Sequence, residues 1–362
     1  MVKSMYIHIP FCSDICTYCD FCKVYYNKNF VRDYLIALEK EIITNYQGEE
    51  LETIYIGGGT PSCLSLTELK RLFNILEIVK RKTNCEITIE GNFESTTKEK
   101  LELYKSFGIN RLSFGIETTN KQRLAYLNRK LDKQRVKEII QEAKELGFNN
   151  INVDLMYALK DETINYLLED INYILSLNIE HISTYSLMIE DHTILKLKGE
   201  EPISEDLDEE MYQTICRELK NNDYIHYEIS NFAKKGYQSK HNLTYWLNEE
   251  YYGFGLGASS YLNNKREENT RSITNYLKGI YNKISEELTI EDKMYYEIIC
   301  NIRLQEGISL NKFREKYKKD LQDIFPFQDL LKEKLLIERN NKLFIPEEKW
   351  YISNEILIRW LG

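Results

Sequence analysis

The densest chemistry in the chain is thiol chemistry near its start, where FCSDICTYCDFC places Cys12, Cys16, Cys19 and Cys22 in one short loop. The C-x-x-x-C-x-x-C spacing of Cys12, Cys16 and Cys19 lets three thiolates converge on a cubane iron-sulfur cluster, which soft sulfur ligands suit. Three ligands leave one iron open to a chelating substrate, whereas a structural zinc site asks for four, typically in two separated pairs. Cys22 could supply a fourth thiolate, so a zinc or closed-cluster alternative stands beside the open one. Cys63, Cys85, Cys216 and Cys300 are isolated. In a reducing compartment such clustering reads as metal ligation rather than disulfides.

Further candidates sit where short apolar runs end. Gly57-Gly58-Gly59-Thr60-Pro61 follows one of them, and glycines there give backbone N–H groups close access to a ligand's carboxylate or amine, unless the run is only a tight turn. Glu90 ends ITIE, where a carboxylate can accept hydrogen bonds from an amine or from ribose hydroxyls; the plain alternative is a solvated strand end. Glu117 and Asp154 occupy similar places later in the chain. Each alone would read as a turn or surface residue. Together they mark the carboxyl ends of successive strands, where parallel α/β folds place active sites.

The runs that must position these residues are rich in Ile, Val and Tyr and cover residues 5–9, 53–56, 86–89, 111–116, 151–156 and 181–187, which predicts strands. Between them the apolar spacing is helical, as in Tyr34, Leu35, Leu38 and Ile42, or Leu69, Leu72, Phe73 and Leu76, or Val136, Ile139, Ile140 and Ala143. Strands alternating with helices imply a parallel sheet, either open and doubly wound or part of a barrel. After Tyr224 the pattern changes. Residues 1–225 form the expected core, 226–271 a connecting region with HNLTYW and a glycine-rich segment, and 272–362 a mainly helical domain. Within the last, LLKEKLLIERNNKLFIPEEKW predicts a helix and a hairpin turning at Asn340 and Asn341, a winged-helix-like shape.

The 362 residues, 43% hydrophobic, can bury a sizeable core. A net charge of -9 argues against a nucleic-acid partner. No stretch approaches the roughly 18 apolar residues needed to span a bilayer, and MVKSMYIHIP lacks signal-peptide features, so a soluble, cytoplasmic protein with no transmembrane segment is expected. The 27 tyrosines are spread through the whole chain and carry no functional reading.

Taken together, YIHIPFCSDICTYCDF, IYIGGGTPS, ITIEGN, GINRLSFGIE and VDLM resemble the radical S-adenosylmethionine (radical SAM) superfamily. Within it they resemble the group that contains oxygen-independent coproporphyrinogen III oxidase and the HemW-type heme chaperones, and HISTYSLMIEDHT, YEISNFAKKGYQ, HNLTYW and YYGFGLGA continue the match. The resemblance implies an α/β fold, an incomplete (β/α)6 barrel with a smaller C-terminal domain. It implies that Cys12, Cys16 and Cys19 hold a [4Fe-4S] cluster whose open iron chelates SAM. It places Tyr6, Tyr18, Gly58 and Glu90 around that SAM, and Gly59, Thr60, Glu117, Arg129 and Asp154 where the oxidase holds a second one.

Four positions depart from the group's pattern. Glu117 stands where Gln is usual, Phe93 where an Asn-Pro pair is common, Asn128 where Gly precedes Arg129, and Leu131 where His often follows. Three features favour the chaperone over the oxidase. The first cysteine is already residue 12, the oxidase's fourth-cysteine position is Phe21 with Cys22 one place beyond, and His241-Asn242-Leu243-Thr244-Tyr245-Trp246 matches the H-N-x-x-Y-W signature associated with heme. By that match His241 is the candidate axial ligand, with Tyr245 and Trp246 offering flat surface to a porphyrin; His8, His181, His192 and His226 come next. Ser239 stands where the motif usually has a cysteine, so no thiolate acts from there. The implied partners are heme or a porphyrin, a heme-acceptor protein and an electron donor. SAM-dependent decarboxylation of coproporphyrinogen III, or another radical modification of heme, is the alternative, and whether the chain is an enzyme stays open.

Overall fold

Main-chain pairing joins six parallel strands side by side in chain order: Ser4–Ile9, Leu51–Gly58, Arg81–Gly91, Arg111–Glu117, Ile151–Tyr157 and His181–Ser186. The structure, a computed structural model, describes residues 2–281 and 284–362. Five strands extend past the expected apolar run, and the sixth stops at Ser186. The third gains most, because Leu51 pairs with Arg81 ahead of a register shift, so the polar stretch 81–84 is a strand through its backbone rather than its side chains.

Parallel neighbours need crossovers, supplied by the helices Lys28–Asn45, Leu66–Leu76, Lys98–Ser106, Lys133–Glu145 and Ile164–Ser176, with Glu205–Asn221 after the sixth strand. Their starts are set locally. Asn27 accepts from the amides of Asn29 and Phe30, and Ser65 forms a reciprocal cap with Glu68. Their apolar stripes, such as Leu69, Leu72, Phe73 and Leu76, are buried in one continuous core.

Among the described residues the sheet does not close on itself; its two edges are different strands, as an incomplete barrel requires. Tyr251–Phe254 pairs in parallel with the first strand, followed by antiparallel Ser259–Leu262, Lys265–Glu268 and Ile284–Glu287. At the opposite edge, Asn231–Ala233 and Ile225–Glu228 pair antiparallel onto the sixth strand. The boundaries expected after residues 225 and 271 therefore fall inside a twelve-stranded sheet. Short strands of three or four residues carry too few alternations to show a period of two.

Beyond the sheet, Ile290–Asn301 packs against the helix Lys240–Trp246, and Leu310–Tyr317 against a three-stranded sheet made of Ile308–Ser309, Lys342–Phe344 and Ile337–Arg339. Asn340 and Asn341 turn its hairpin at φ 53° and 59°, a left-handed pair that asparagine tolerates. Among the described residues no helix is long and apolar enough to cross a membrane.

One buried carboxylate ties the first crossover helix to the later strands. Glu41, 1% exposed, accepts from the Gly255 amide at 2.9 Å, the Tyr276 hydroxyl at 2.7 Å and the Asn269 side-chain amide at 2.8 Å. Truncation strands these donors in the core. Glu41→Ala is expected to lower stability by about 3 kcal/mol, read from the urea midpoint, with Glu41→Gln losing less. A wild-type midpoint in the alanine variant would contradict this role.

Candidate functional site

The period of two along each strand sends one set of side chains outward to the helices and the other into the barrel. The inward set is polar. Tyr55, Glu90, Arg111, Ser113, Glu117, Asn152, Asp154 and Ser183 all line a cavity of about 400 Å³ that the cysteine loop caps. Cys12, Cys16 and Cys19 line that same cavity, with Tyr18 between them in sequence.

The cysteine loop is held by its backbone. Val24 N–H donates to Pro10 O at 2.8 Å, Tyr26 N–H to Cys12 O at 2.8 Å, and Thr17 N–H to Leu127 O at 3.1 Å. Thr60 Oγ1 lies 3.7 Å from Cys12 Sγ and Arg129 Nη1 4.0 Å from Cys16 Sγ. Burial pushes all three thiols up, Cys12 to about 11, so an incoming metal must displace their protons. Among the described residues no three His, Cys, Asp or Glu gather closely enough to hold a single metal ion. Three thiols on one cavity are soft donors of the kind that iron-sulfur clusters take. Cys22 is turned elsewhere: its carbonyl accepts from His8 Nε2 at 2.7 Å, and its Sγ points to the Arg271 carbonyl 3.9 Å away. It does not line the cavity.

The triglycine loop reaches the cavity with Gly58, Gly59 and Thr60. Its amides are engaged within the protein, Gly58 N–H to Glu90 Oε2 at 3.0 Å, Gly59 N–H to Ile9 O at 2.9 Å and Thr60 N–H to Phe11 O at 2.8 Å. The glycines are needed for closeness. Gly58 has φ 115°, and a Cβ there would come within 2.5 Å of the His8 ring; at Gly59 it would come within 2.9 Å of Cys12 Sγ. The end of the second strand and the cysteine loop can thus carry Glu90's partner and a thiol side by side.

Three of the cavity's carboxyls, Glu90, Glu117 and Asp154, stand on barrel strands. Burial pushes Glu90 up to about 7, with Asp154 adding to the rise and the Tyr55 hydroxyl, 2.7 Å away, opposing it. Burial likewise pushes Glu117 up to about 7 against the field of Arg129, whose Nη2 is 3.8 Å away, and raises Asp154. Arg129 also donates to Gly115 O at 2.8 Å. Arg111, 2% exposed, also lines the cavity and lowers both Glu90 and Asp154 through its charge.

The departures at Asn128 and Phe93 have local reasons. Asn128 takes φ 54°, a left-handed position that asparagine tolerates, and its side chain donates to Ile15 O in the cysteine loop at 2.8 Å. Phe93 stacks on Phe114 at 4.7 Å in the core.

Of the residues expected around SAM, Tyr18, Gly58, Gly59, Thr60, Glu90, Glu117, Arg129 and Asp154 line the cavity. Tyr6 does not; its hydroxyl bonds His8 Nδ1 at 2.9 Å. The residues expected around heme lie elsewhere too. His241 is 1% exposed, with Nδ1 2.8 Å from Thr53 Oγ1 and Nε2 2.8 Å from the Tyr245 hydroxyl, so neither nitrogen faces an opening. Burial pushes its imidazole down to about 3, which keeps it neutral. Tyr245 and Trp246 share the helix Lys240–Trp246 and do not reach the cavity; within HNLTYW only Asn242 lines it. His8 and His181 have both ring nitrogens hydrogen-bonded, whereas His192 is exposed. Tyr55, Arg111, Ser113, Asn152 and Asn242 were not among the expected site residues. The alternation Arg111, Ser113, Gly115, Glu117 along one strand was the available signal.

Residues 6–174 match the model of the Radical SAM superfamily. The chain is 37% identical to the heme chaperone HemW of Bacillus subtilis, covering 100% of both, and 36% identical to that of Lactococcus lactis, covering 99% of this chain and 97% of the relative. Among solved structures, coproporphyrinogen III oxidase of Escherichia coli shares the fold with a TM-score of 0.88 at 20% identity, covering 99% of this chain and 90% of the oxidase. The chain therefore belongs to the HemW-type family of the radical SAM superfamily.

Proposed function

We propose that this chain is a radical SAM heme chaperone: it holds a [4Fe-4S] cluster on Cys12, Cys16 and Cys19, binds SAM in the barrel cavity, and carries heme to an acceptor protein. The full-length match to HemW relatives carries the heme reading. Three thiols on one polar cavity support the cofactor reading. When bound, the cluster supplies an open iron and a transferable electron. Tyr18, Gly58 and Glu90 are the residues we assign to the first SAM, with Glu90 accepting from its amine and balancing its sulfonium charge. Gly59, Thr60, Glu117, Arg129 and Asp154 are the candidates for a second, and the carboxylate at Glu117 sets that position apart from one built around an amide. An electron donor and a heme acceptor are the protein partners, in a reducing cytoplasm where the eight unpaired thiols stay reduced.

The decisive assay is anaerobic incubation of reconstituted protein with coproporphyrinogen III or heme, SAM and reductant, followed by product analysis. A chaperone returns the heme unchanged and yields no protoporphyrinogen IX. SAM-dependent carbon dioxide release with accumulation of that product would make the chain a decarboxylase instead.

Anaerobically reconstituted protein should carry one cluster, lost in Cys12→Ala, Cys16→Ala or Cys19→Ala and kept in Cys22→Ala, by iron and sulfide analysis. Stoichiometric zinc, or cluster loss in the Cys22 variant, would point to a closed site.

Glu90 also predicts a pH profile. A carboxyl raised to about 7 from its ordinary 4.5 favours the ligand-free fold below 4.5, and that contribution is lost as pH rises through 7. SAM needs the ionised form, so its affinity should climb several-fold, on the order of one decade, between about pH 6 and pH 8. Asp154, Glu117, Arg111 and the tyrosines Tyr6, Tyr55, Tyr185 and Tyr245 share Glu90's surroundings, and Glu117 contributes part of the climb. Glu90→Gln should flatten it, as measured by equilibrium dialysis under argon. Superimposable profiles would remove Glu90 from the SAM site.

A further inference from the structure

The HNLTYW helix sits at the opposite end of the strands from the cysteine loop and grips the three strands that build the cofactor end. Ser4 Oγ on the first strand meets Thr244 Oγ1 at 2.8 Å. Thr53 Oγ1 on the second meets His241 Nδ1 at 2.8 Å. On the third, the Glu86 carboxylate accepts from the amides of Lys240 at 3.2 Å and His241 at 3.1 Å. The carbonyl of Trp246, at the helix end, accepts from Asn301 Nδ2 at 2.9 Å.

From this floor one chain of contacts rises to the cavity. The His241 ring stacks on Tyr55 with centroids 5.1 Å apart and planes 28° from parallel. The Tyr55 hydroxyl donates to Glu90 Oε1 at 2.7 Å, and Glu90 Oε2 accepts from the Gly58 amide at 3.0 Å. Tyr245 meets the His241 ring edge-on at 5.1 Å and closes its far nitrogen. Few side chains could replace this imidazole. It offers a flat face to Tyr55 and, on its edge, one donor and one acceptor for the hydroxyls of Thr53 and Tyr245. Phe lacks the nitrogens and Gln lacks the ring. Freeing a nitrogen for iron would strand buried hydroxyls and unseat Tyr55.

We infer that His241 is a positioning residue for the cofactor carboxylate Glu90, acting through Tyr55, and that the HNLTYW helix is the floor of the barrel rather than an open heme ligand. The inference rests on the reading that this cavity binds SAM.

Two readouts test it, one of which needs no SAM. Isotope-edited infrared titration of the Glu90 carboxyl, in wild type, Tyr55→Phe, His241→Gln and His241→Ala, follows the group directly. The relay predicts that its midpoint moves upward in Tyr55→Phe and His241→Ala and less in His241→Gln, because a hydrogen bond that favours the ionised form weakens. The other groups facing Glu90, namely Asp154, Arg111, Glu117, Tyr6, Tyr185 and Tyr245, stay in place as the common background. Anaerobic SAM binding should weaken roughly tenfold in Tyr55→Phe and His241→Ala, with the double variant no weaker than the singles, while the heme Soret band and heme affinity of His241→Ala match wild type. Unmoved Glu90 midpoints with a lost heme spectrum in His241→Ala would overturn the relay and make His241 an iron ligand. If His241→Ala does not fold, Tyr55→Phe decides alone, since it deletes one hydroxyl, and an unmoved midpoint there overturns the relay. Moved midpoints in a protein that binds no SAM would keep the relay and refute the SAM reading.

Discussion

A carboxylate cannot be kept inside a protein without donors, and Glu90 shows how this barrel meets that demand. Its two oxygens take the Tyr55 hydroxyl and the Gly58 amide, both from the second strand, while Glu90 stands one residue before the end of the third. That bond pair fixes the triglycine loop against the start of the cysteine loop, because Gly58 must pass the His8 ring and Gly59 must pass Cys12. Charge, loop and thiol are therefore set by one interaction.

The rest of the molecule is arranged around a polar lumen. Outward side chains of the strands join the crossover helices in one core that continues into the C-terminal part. Inward side chains bring Glu90, Glu117 and Asp154 together with Arg111 and Arg129, so carboxyls and guanidiniums share one enclosure. Such a lumen must be closed below and covered above. The HNLTYW helix closes it below, held by Thr53, Glu86 and Ser4, and the cysteine loop covers it above. The strands at both edges extend the sheet without closing it.

Much of this was legible in the chain. The six strands, the crossover helices and the Asn340-Asn341 turn follow from apolar period and turn chemistry, and the cysteine spacing singled out the loop that covers the cavity. The edge strands were hidden because Ile225–Glu228 and Tyr251–Phe254 are too short to show alternation. The packing of His241 was hidden because a motif states residue types, not the direction a ring faces; nothing in HNLTYW discloses Thr53 or Tyr55 as its neighbours. Arg111 gave no signal because a basic residue opening a strand usually points to solvent, whereas here it is buried and lines the cavity.

The central claim is that three thiols, and not four, hold an iron-sulfur cluster open to SAM on this cavity. Mössbauer spectroscopy of protein reconstituted with iron-57, recorded before and after SAM is added, tests it most directly. The account predicts that one iron site in each cluster changes its parameters on SAM binding while the other sites stay as they were. A spectrum of equivalent, fully sulfur-ligated irons that SAM leaves untouched would contradict it.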